Sequence, residues 1–199
     1  MAKINQKPGQ VSFFQAIKDF FVGYVDFKGR TTRAGYWWVT LILSIGGLLA
    51  GFAIIGKVFS LIFEIADMYD YNGYMYEDEA GRLVARFLTD YLGLFILLFI
   101  ISLALFLPSL AIAVRRYRDA GLRGRGTLTL YITSVVIGLL GVGNYSAFLA
   151  LISSAISIFF FVLTLLPTDS LVVTSQNSVM LFFFRTKNEE PKEDEWLDY

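Results

Sequence analysis

Hydrophobic residues in this chain run in long blocks, and charges collect at the ends of those blocks. Ala34–Gly56, Tyr91–Val114 and Thr127–Thr168 contain no Asp, Glu, Lys or Arg. The first two blocks are 23 and 24 residues long. Roughly 20 helical residues cross a hydrocarbon core of about 30 Å, so each is long enough for one crossing. The third block is 42 residues long. A single helix of that length would extend roughly 60 Å at about 1.5 Å per residue, twice the need. A fold-back is expected at Gly141-Val142-Gly143-Asn144-Tyr145, where glycine and asparagine permit a tight turn. The pattern predicts four spans, at about 36–56, 91–114, 127–141 and 146–166, the third being short.

A different periodicity precedes the first span. Phe13, Phe14, Ile17, Phe20, Phe21 and Tyr24 recur at helical spacing, with Gln15, Lys18 and Asp19 off the stripe. This predicts an amphipathic helix, suited to lying in the membrane interface or to packing on the bundle. Between the first two spans, residues 57–90 form an outer loop. Within it Asn72-Gly73 is a strong two-residue hairpin signal. It places Tyr71 opposite Tyr74 and Tyr69 opposite Tyr76, either as a small lid at headgroup level or as a sticky patch for a partner. Leu83, Val84, Phe87, Leu88 and Tyr91 then recur at helical spacing into the second span. After the last span, 171–184 is apolar at both ends but interrupted by Ser175-Gln176-Asn177-Ser178. It is too short and broken to cross, and reads as a hairpin-like or surface-lying segment before an acidic end from about Asn188.

Composition agrees: 56% of the residues are hydrophobic, 17% are aromatic, and the net charge is zero. The distribution of cations gives the orientation. Residues 1–35 carry six Lys or Arg and 115–126 carry five, whereas 57–90 carry three against seven acids. Short loops rich in Lys and Arg stay in the cytoplasm. Both termini and the Arg loop at 115–126 are therefore expected inside, and the acidic loop outside. The first ten residues are polar, so no cleavable signal is evident.

The chemical inventory narrows the function classes. The chain has no His and no Cys. It therefore lacks the commonest general base, a thiol nucleophile and the usual zinc or haem ligands. No cofactor and no metal is expected, and Glu77, Asp78 and Glu79 lack the spacing of a cation loop. "GLRGRG" has no Walker lysine–serine pair. The spans hold only mild polar groups such as Ser44, Ser102 and Thr133, which argues against a coupled pump. Gly47 and Gly51 form a GxxxG, and Ala150/Ser154 and Ser153/Ser157 are small-xxx-small pairs. Such faces allow close helix contact within a bundle or with a second copy.

The two inner clusters contain seven arginines and one lysine. Cations at span ends act as topology anchors, but lysine would serve equally well. Arginine's planar fork also suits bidentate contact with phosphate or carboxylate. Arg30, Arg33, Arg115 and Arg116 are the candidate headgroup-binding residues, and Asp119, set among five arginines, is their candidate structural ion-pair partner.

At these residues the chain resembles a known family. Phe27, Gly29, Arg30, Arg33, Tyr36 and Trp37 match the "F-x-G-R-x-x-R-x-x-Y-W" opening of a bacterial membrane family, domain of unknown function 805. That family's second motif, approximately "R-R-L-H-D-x-G-x-S-G-W", follows a proline-bearing apolar span. Here Pro108 sits in the span, and Arg115, Arg116, Asp119, Gly121 and Gly124 fall in register. Tyr117 stands at the leucine, Arg118 at the histidine, Arg123 at the serine and Arg125 at the tryptophan, and the closing Asn-x-Tyr-Gly is not recognisable. The resemblance covers roughly 20–166 and implies a small integral protein of the bacterial cell membrane, with no assigned activity.

Together these features predict an all-α integral membrane protein, a four-transmembrane-helix bundle with an N-terminal amphipathic interfacial helix. A non-enzymatic role is expected, with membrane lipids, anionic ones in particular, as partners. A second copy or another membrane protein is a further candidate partner; no nucleic acid is expected. Two alternatives stand beside this reading. One is an uncoupled channel or facilitator for a small solute, which needs a polar path. The other is a lipid-acting enzyme at the inner interface, for which only Asp26 and Asp119 are placed as bases.

Overall fold

The computed structural model describes residues 4–67, 77–141, 147–174 and 177–187. These form six helices: α1 (Phe13–Val22), α2 (Arg33–Ala66), α3 (Glu77–Ala120), α4 (Gly124–Gly141), α5 (Ala147–Leu165) and α6 (Ser178–Phe183). Among the described residues there is no strand, only isolated bridges at Asn5–Arg30, Leu122–Phe184 and Val173–Thr186. The tyrosine hairpin, the turn after Gly141 and the acidic end from Asn188 lie outside the described residues.

Three helices are long and apolar enough to cross a membrane: those over Arg33–Ala66, Gly81–Ala120 and Ala147–Leu165. α4 is apolar but shorter. α2 and α3 extend well past the charge-free blocks, to 34 and 44 residues. α2 continues through Lys57 and Glu64. α3 takes in Arg82, Arg86 and Asp90 at its start and Arg115, Arg116, Arg118 and Asp119 at its end. Charge limits how much of a helix sits in hydrocarbon, yet straight-chain charged residues are good helix formers, so the helix itself continues. Much of the loop expected over 57–90 is therefore helical. The Arg loop expected over 115–126 contracts to Gly121–Arg123, between α3 and α4. Pro108 lies within α3 without ending it.

α1 starts where Ser12 caps it, its hydroxyl accepting the Gln15 N–H at 3.3 Å. Its buried face is narrower than the aromatic stripe: Ala16, Asp19 and Phe20 point inward, while Phe14 and Phe21 stay exposed. Phe13 meets Trp38 edge-on at 5.4 Å.

The chain divides into two compact units, Met1–Val39 with Leu107–Tyr199, and Thr40–Phe106. In the first unit α4 packs against α5 and α6. Its apolar core is Ala120, Leu122 and Leu163, surrounded by Tyr117, Phe159, Phe160, Leu171 and Phe184. In the second unit the Lys57 ammonium lies 5.8 Å over the Tyr91 ring, which also packs on Phe87. A Cβ placed at Gly47 or Gly51 would meet nothing within 4 Å, so their shared face is open.

Candidate functional site

The charged residues singled out from the sequence lie in the first unit, where three connected arrangements form around the ends of α1, α3 and α5.

The first is built by the N-terminal segment. Ile4 donates its N–H to Asp26 Oδ2 at 3.0 Å and accepts the Arg30 N–H at 3.0 Å, and the Gln6 N–H reaches the Arg30 carbonyl at 3.2 Å. The Gln6 side chain is buried and works in both directions. Its Nε2 donates to Asp19 Oδ2 at 2.8 Å, and its Oε1 accepts the Thr32 N–H at 3.1 Å. Glycine makes this approach feasible. A Cβ at Gly29 would lie 2.0 Å from the Ile4 carbonyl oxygen, and one at Gly35 would lie 2.0 Å from Gln6 Oε1. The family-motif glycine thus has a physical role: it seats an arm of the chain.

The second is the end of α3. Arg116 and Asp119, three apart on one helix face, form an ion pair with both side chains sealed from solvent. The rest of the Arg116 fork is also used. Nε donates to the Thr164 carbonyl at 3.2 Å, and Nη2 donates to the Leu166 carbonyl. The last carbonyls of a helix have no partner within it. Arg116 therefore closes the C-terminal end of α5, where a cation also meets the negative end of the helix dipole. Trp37 adds an indole N–H to the same Thr164 oxygen at 3.3 Å. Asp119 Oδ2 also accepts the Thr168 hydroxyl at 3.0 Å. Arg115 is equally buried but elsewhere. Its guanidinium lies against Gly23, where a Cβ would sit 1.9 Å from Nη1. Its three nitrogens make no hydrogen bond among the described residues, and Asp26 and Asp19 are the acids that act on it electrostatically.

The third ties the tail down. Asp169, at a left-handed φ of 58°, binds Arg30 at 3.1 Å and also pairs with Arg185. Its own N–H donates to the Asp119 carbonyl at 2.7 Å. The tail then follows the α3–α4 connection: Leu171 N–H to Ala120 O at 2.9 Å, Arg185 N–H to Gly121 O at 2.9 Å, and Arg123 N–H to Phe183 O at 2.8 Å. Gly121, at φ +117°, adopts a backbone that side chains disfavour, and a Cβ there would press on Leu171.

The candidate residues are therefore not gathered around one acceptor. Arg116 pairs with Asp119, Arg30 with Asp169, Arg115 sits by Gly23, and Arg33 remains exposed. Sequence reasoning did not single out Gln6, Asp169 or Arg185, and it placed Asp19 off the apolar face. One usable signal was present: Asp169 stands directly after the last apolar block, on the cation-rich side.

No group of three His, Cys, Asp or Glu that could hold a metal ion occurs among the described residues. Asp26 is engaged by the N–H groups of Ile4 and Lys28, both at 3.0 Å.

Comparison with known proteins gives one result. The family model described as "Protein of unknown function (DUF805)" matches residues 24–170. No curated protein and no solved structure gives a match.

Proposed function

The chain belongs to the DUF805 family of proteins of unknown function, and on that premise we propose that it is a non-enzymatic, multi-pass protein of the bacterial cell membrane. In this reading α2, α3, α4 and α5 make four crossings, both termini are cytoplasmic, and the arginine-rich end faces the inner leaflet. One observation carries the membrane placement. In the most apolar windows of the three long helices only 6%, 17% and 11% of residues are buried by the chain itself. That much unburied apolar surface far exceeds the largest patch of an ordinary soluble monomer, about 300–600 Å², and it needs an apolar solvent. α4, at 18 residues, is at the short end for a crossing but pairs with α5 as a return helix. The exposed Phe14 and Phe21 of α1 suit the interface beside it.

The non-enzymatic reading rests on how the acids are used. Asp119 and Asp26, the two carboxylates placed to act as bases, both accept hydrogen bonds that hold the fold together. The arginines divide the work. Buried Arg115 and Arg116 with half-buried Arg30 organise the inner end, and exposed Arg33, Lys28 and Arg125 meet lipid headgroups. Attraction of this kind is worth about 1 kcal/mol per cation near an anionic surface.

The test is topology. The chain has no native cysteine, so single cysteines report without background. Asn72→Cys should react with a membrane-impermeant thiol reagent in intact cells, and Gln10→Cys and Lys187→Cys only after permeabilisation. Labelling of all three in intact cells, or the reverse pattern, would refute the orientation.

A further inference from the structure

Beside the arginine network, and separate from its ion pairs, a pocket of about 430 Å³ opens between the last turns of α3, the first turns of α4 and the Phe27–Lys28 segment. We propose that this pocket holds one anionic lipid, its headgroup at Lys28 and Arg118 and its acyl chain along Leu110, Val114 and Leu128. The inference deepens the membrane reading above and depends on this end lying at the inner leaflet.

The polarity of the pocket is graded. α3 and α4 run in from and back towards the apolar blocks, with the connection Gly121–Arg123 between them. Near the connection the α3 and α4 walls are Tyr117, Arg118, Gly124 and Thr127; further along the helices they are Leu110, Ala113, Val114, Leu128 and Tyr131, and Phe27 and Lys28 complete the lining. The same order, charge then hydrocarbon, describes a lipid lying parallel to the helices. Its volume is within the range of about 300–1,000 Å³ usual for ligand pockets. That accommodates a headgroup and the start of a chain, and the remainder would continue into the bilayer over Leu128, which is 58% exposed.

The charges at the polar end point to an anion. Arg118 Nε is buried and has no hydrogen-bond partner among the described residues, an arrangement that favours an incoming acceptor. The charged groups acting on Arg118 are Arg30, a second cation, and Asp26. Asp26 already accepts from Ile4 and Lys28 N–H groups, and Arg30 already binds Asp169. The pocket lining itself holds two cations, Lys28 and Arg118, and no carboxylate. Gly124 opens α4, whose starting end carries partial positive charge, and a Cβ there would come within 3.3 Å of Arg118 Nη1. An arginine fork and a lysine ammonium together suit a phosphodiester better than a zwitterionic headgroup, whose own cation they would repel.

The test uses the full chain in non-ionic detergent, with native mass spectrometry after addition of phosphatidylglycerol and phosphatidylcholine in equal amounts. Wild type should retain one phosphatidylglycerol in preference to phosphatidylcholine, and millimolar inorganic phosphate should not displace it. Combining Lys28→Gln with Arg118→Gln should cut that retention at least tenfold, since about tenfold is the scale of a single lost charge-assisted contact and two are removed. Leu128→Trp, at an exposed position on the apolar wall, should lower retention without lowering Tm, and it serves as the test should the double variant fail to fold. Lys57→Gln, a charge change outside the pocket, should retain lipid as wild type does. Phosphatidylglycerol held equally by wild type, the double variant and Leu128→Trp would overturn the proposal, as would displacement by free phosphate. These readings are independent of the cysteine labelling, so a failed pocket and a failed topology give different results.

Discussion

Residues 40–106 and the remainder of the chain are both helical, and α2 and α3 each run through both. Yet every described residue that is buried lies outside 40–106. Outside that stretch the buried set mixes apolar groups such as Leu122 and Leu163 with Arg115, Arg116, Asp119, Gln6 and Asp19. Within it, Leu49, Phe52, Phe63, Phe99 and Leu103 are each more than 60% exposed. The difference shows two ways of satisfying a chain. Outside 40–106 the chain covers its charged helix ends with its own segments and closes them with side chains, while α4 and α5 keep apolar faces open, as at Leu139, Phe148 and Leu151. Within 40–106, helical hydrogen bonds already satisfy the backbone, and the apolar side chains can be left to lipid, which offers no hydrophobic drive to bury them.

Substitutions should separate the two regions, and the largest effect is expected at the sealed pair. Arg116→Leu leaves Asp119 as an unpaired buried charge, removes the guanidinium donor from the Leu166 carbonyl and leaves Thr164 with Trp37 alone. Losing one partner of such a pair costs about 3–5 kcal/mol. Thermal unfolding in mild detergent should show a large fall in Tm; an unchanged Tm would mean that the pair does not hold the end together. Gly29→Val should come next, because its side chain collides with the Ile4 carbonyl, and overpacking of this kind costs about 1–3 kcal/mol. Deleting residues 1–6 should make the same substitution nearly neutral, a non-additivity that isolates the seat of the N-terminal arm. Asp169→Asn should have a smaller effect, up to about 1 kcal/mol, because that carboxylate is partly solvated. Its coupling should be strongest to Arg30→Gln and Arg185→Gln, which it pairs with directly, and weaker to Arg116→Leu. The smallest effect belongs to Leu49→Ala, at a position 67% exposed. It should stay within about 0.5 kcal/mol, as surface substitutions do. A loss there as large as at Gly29 would break the contrast.

Much of the helical layout was legible in the sequence, because charge-free blocks and 3.6-residue spacing are local signals. The arginine clusters were legible too, as was the family motif. Asp119 as an arginine's ion-pair partner was legible, and it pairs with Arg116; most of the other partners were not. Arg116 is satisfied largely by the carbonyls of Thr164 and Leu166, and backbone acceptors leave no trace in residue identity. Ile4 and Gln6 pack by pairing with Arg30 and seating on glycines, a contact across more than 20 residues that no periodicity announces. Asp19 looked solvent-facing because spacing marks the apolar side of a helix and not the side that is buried. α2 and α3 outran their expected ends because a charge that stops a membrane span does not stop a helix.

The central claim is that the apolar helices of 40–106 are solvated by acyl chains while the arginine-rich end is covered by the chain itself. The most direct measurement is photolabelling of the protein in liposomes from a phospholipid carrying a photoreactive group at mid-acyl chain, with labelled residues mapped by mass spectrometry. The account predicts label concentrated at exposed positions such as Leu49, Phe52, Phe99 and Leu103, and none at Ala16, Arg116, Asp119, Leu122 or Leu163. Label spread evenly over both sets, or absent from 40–106, would contradict it.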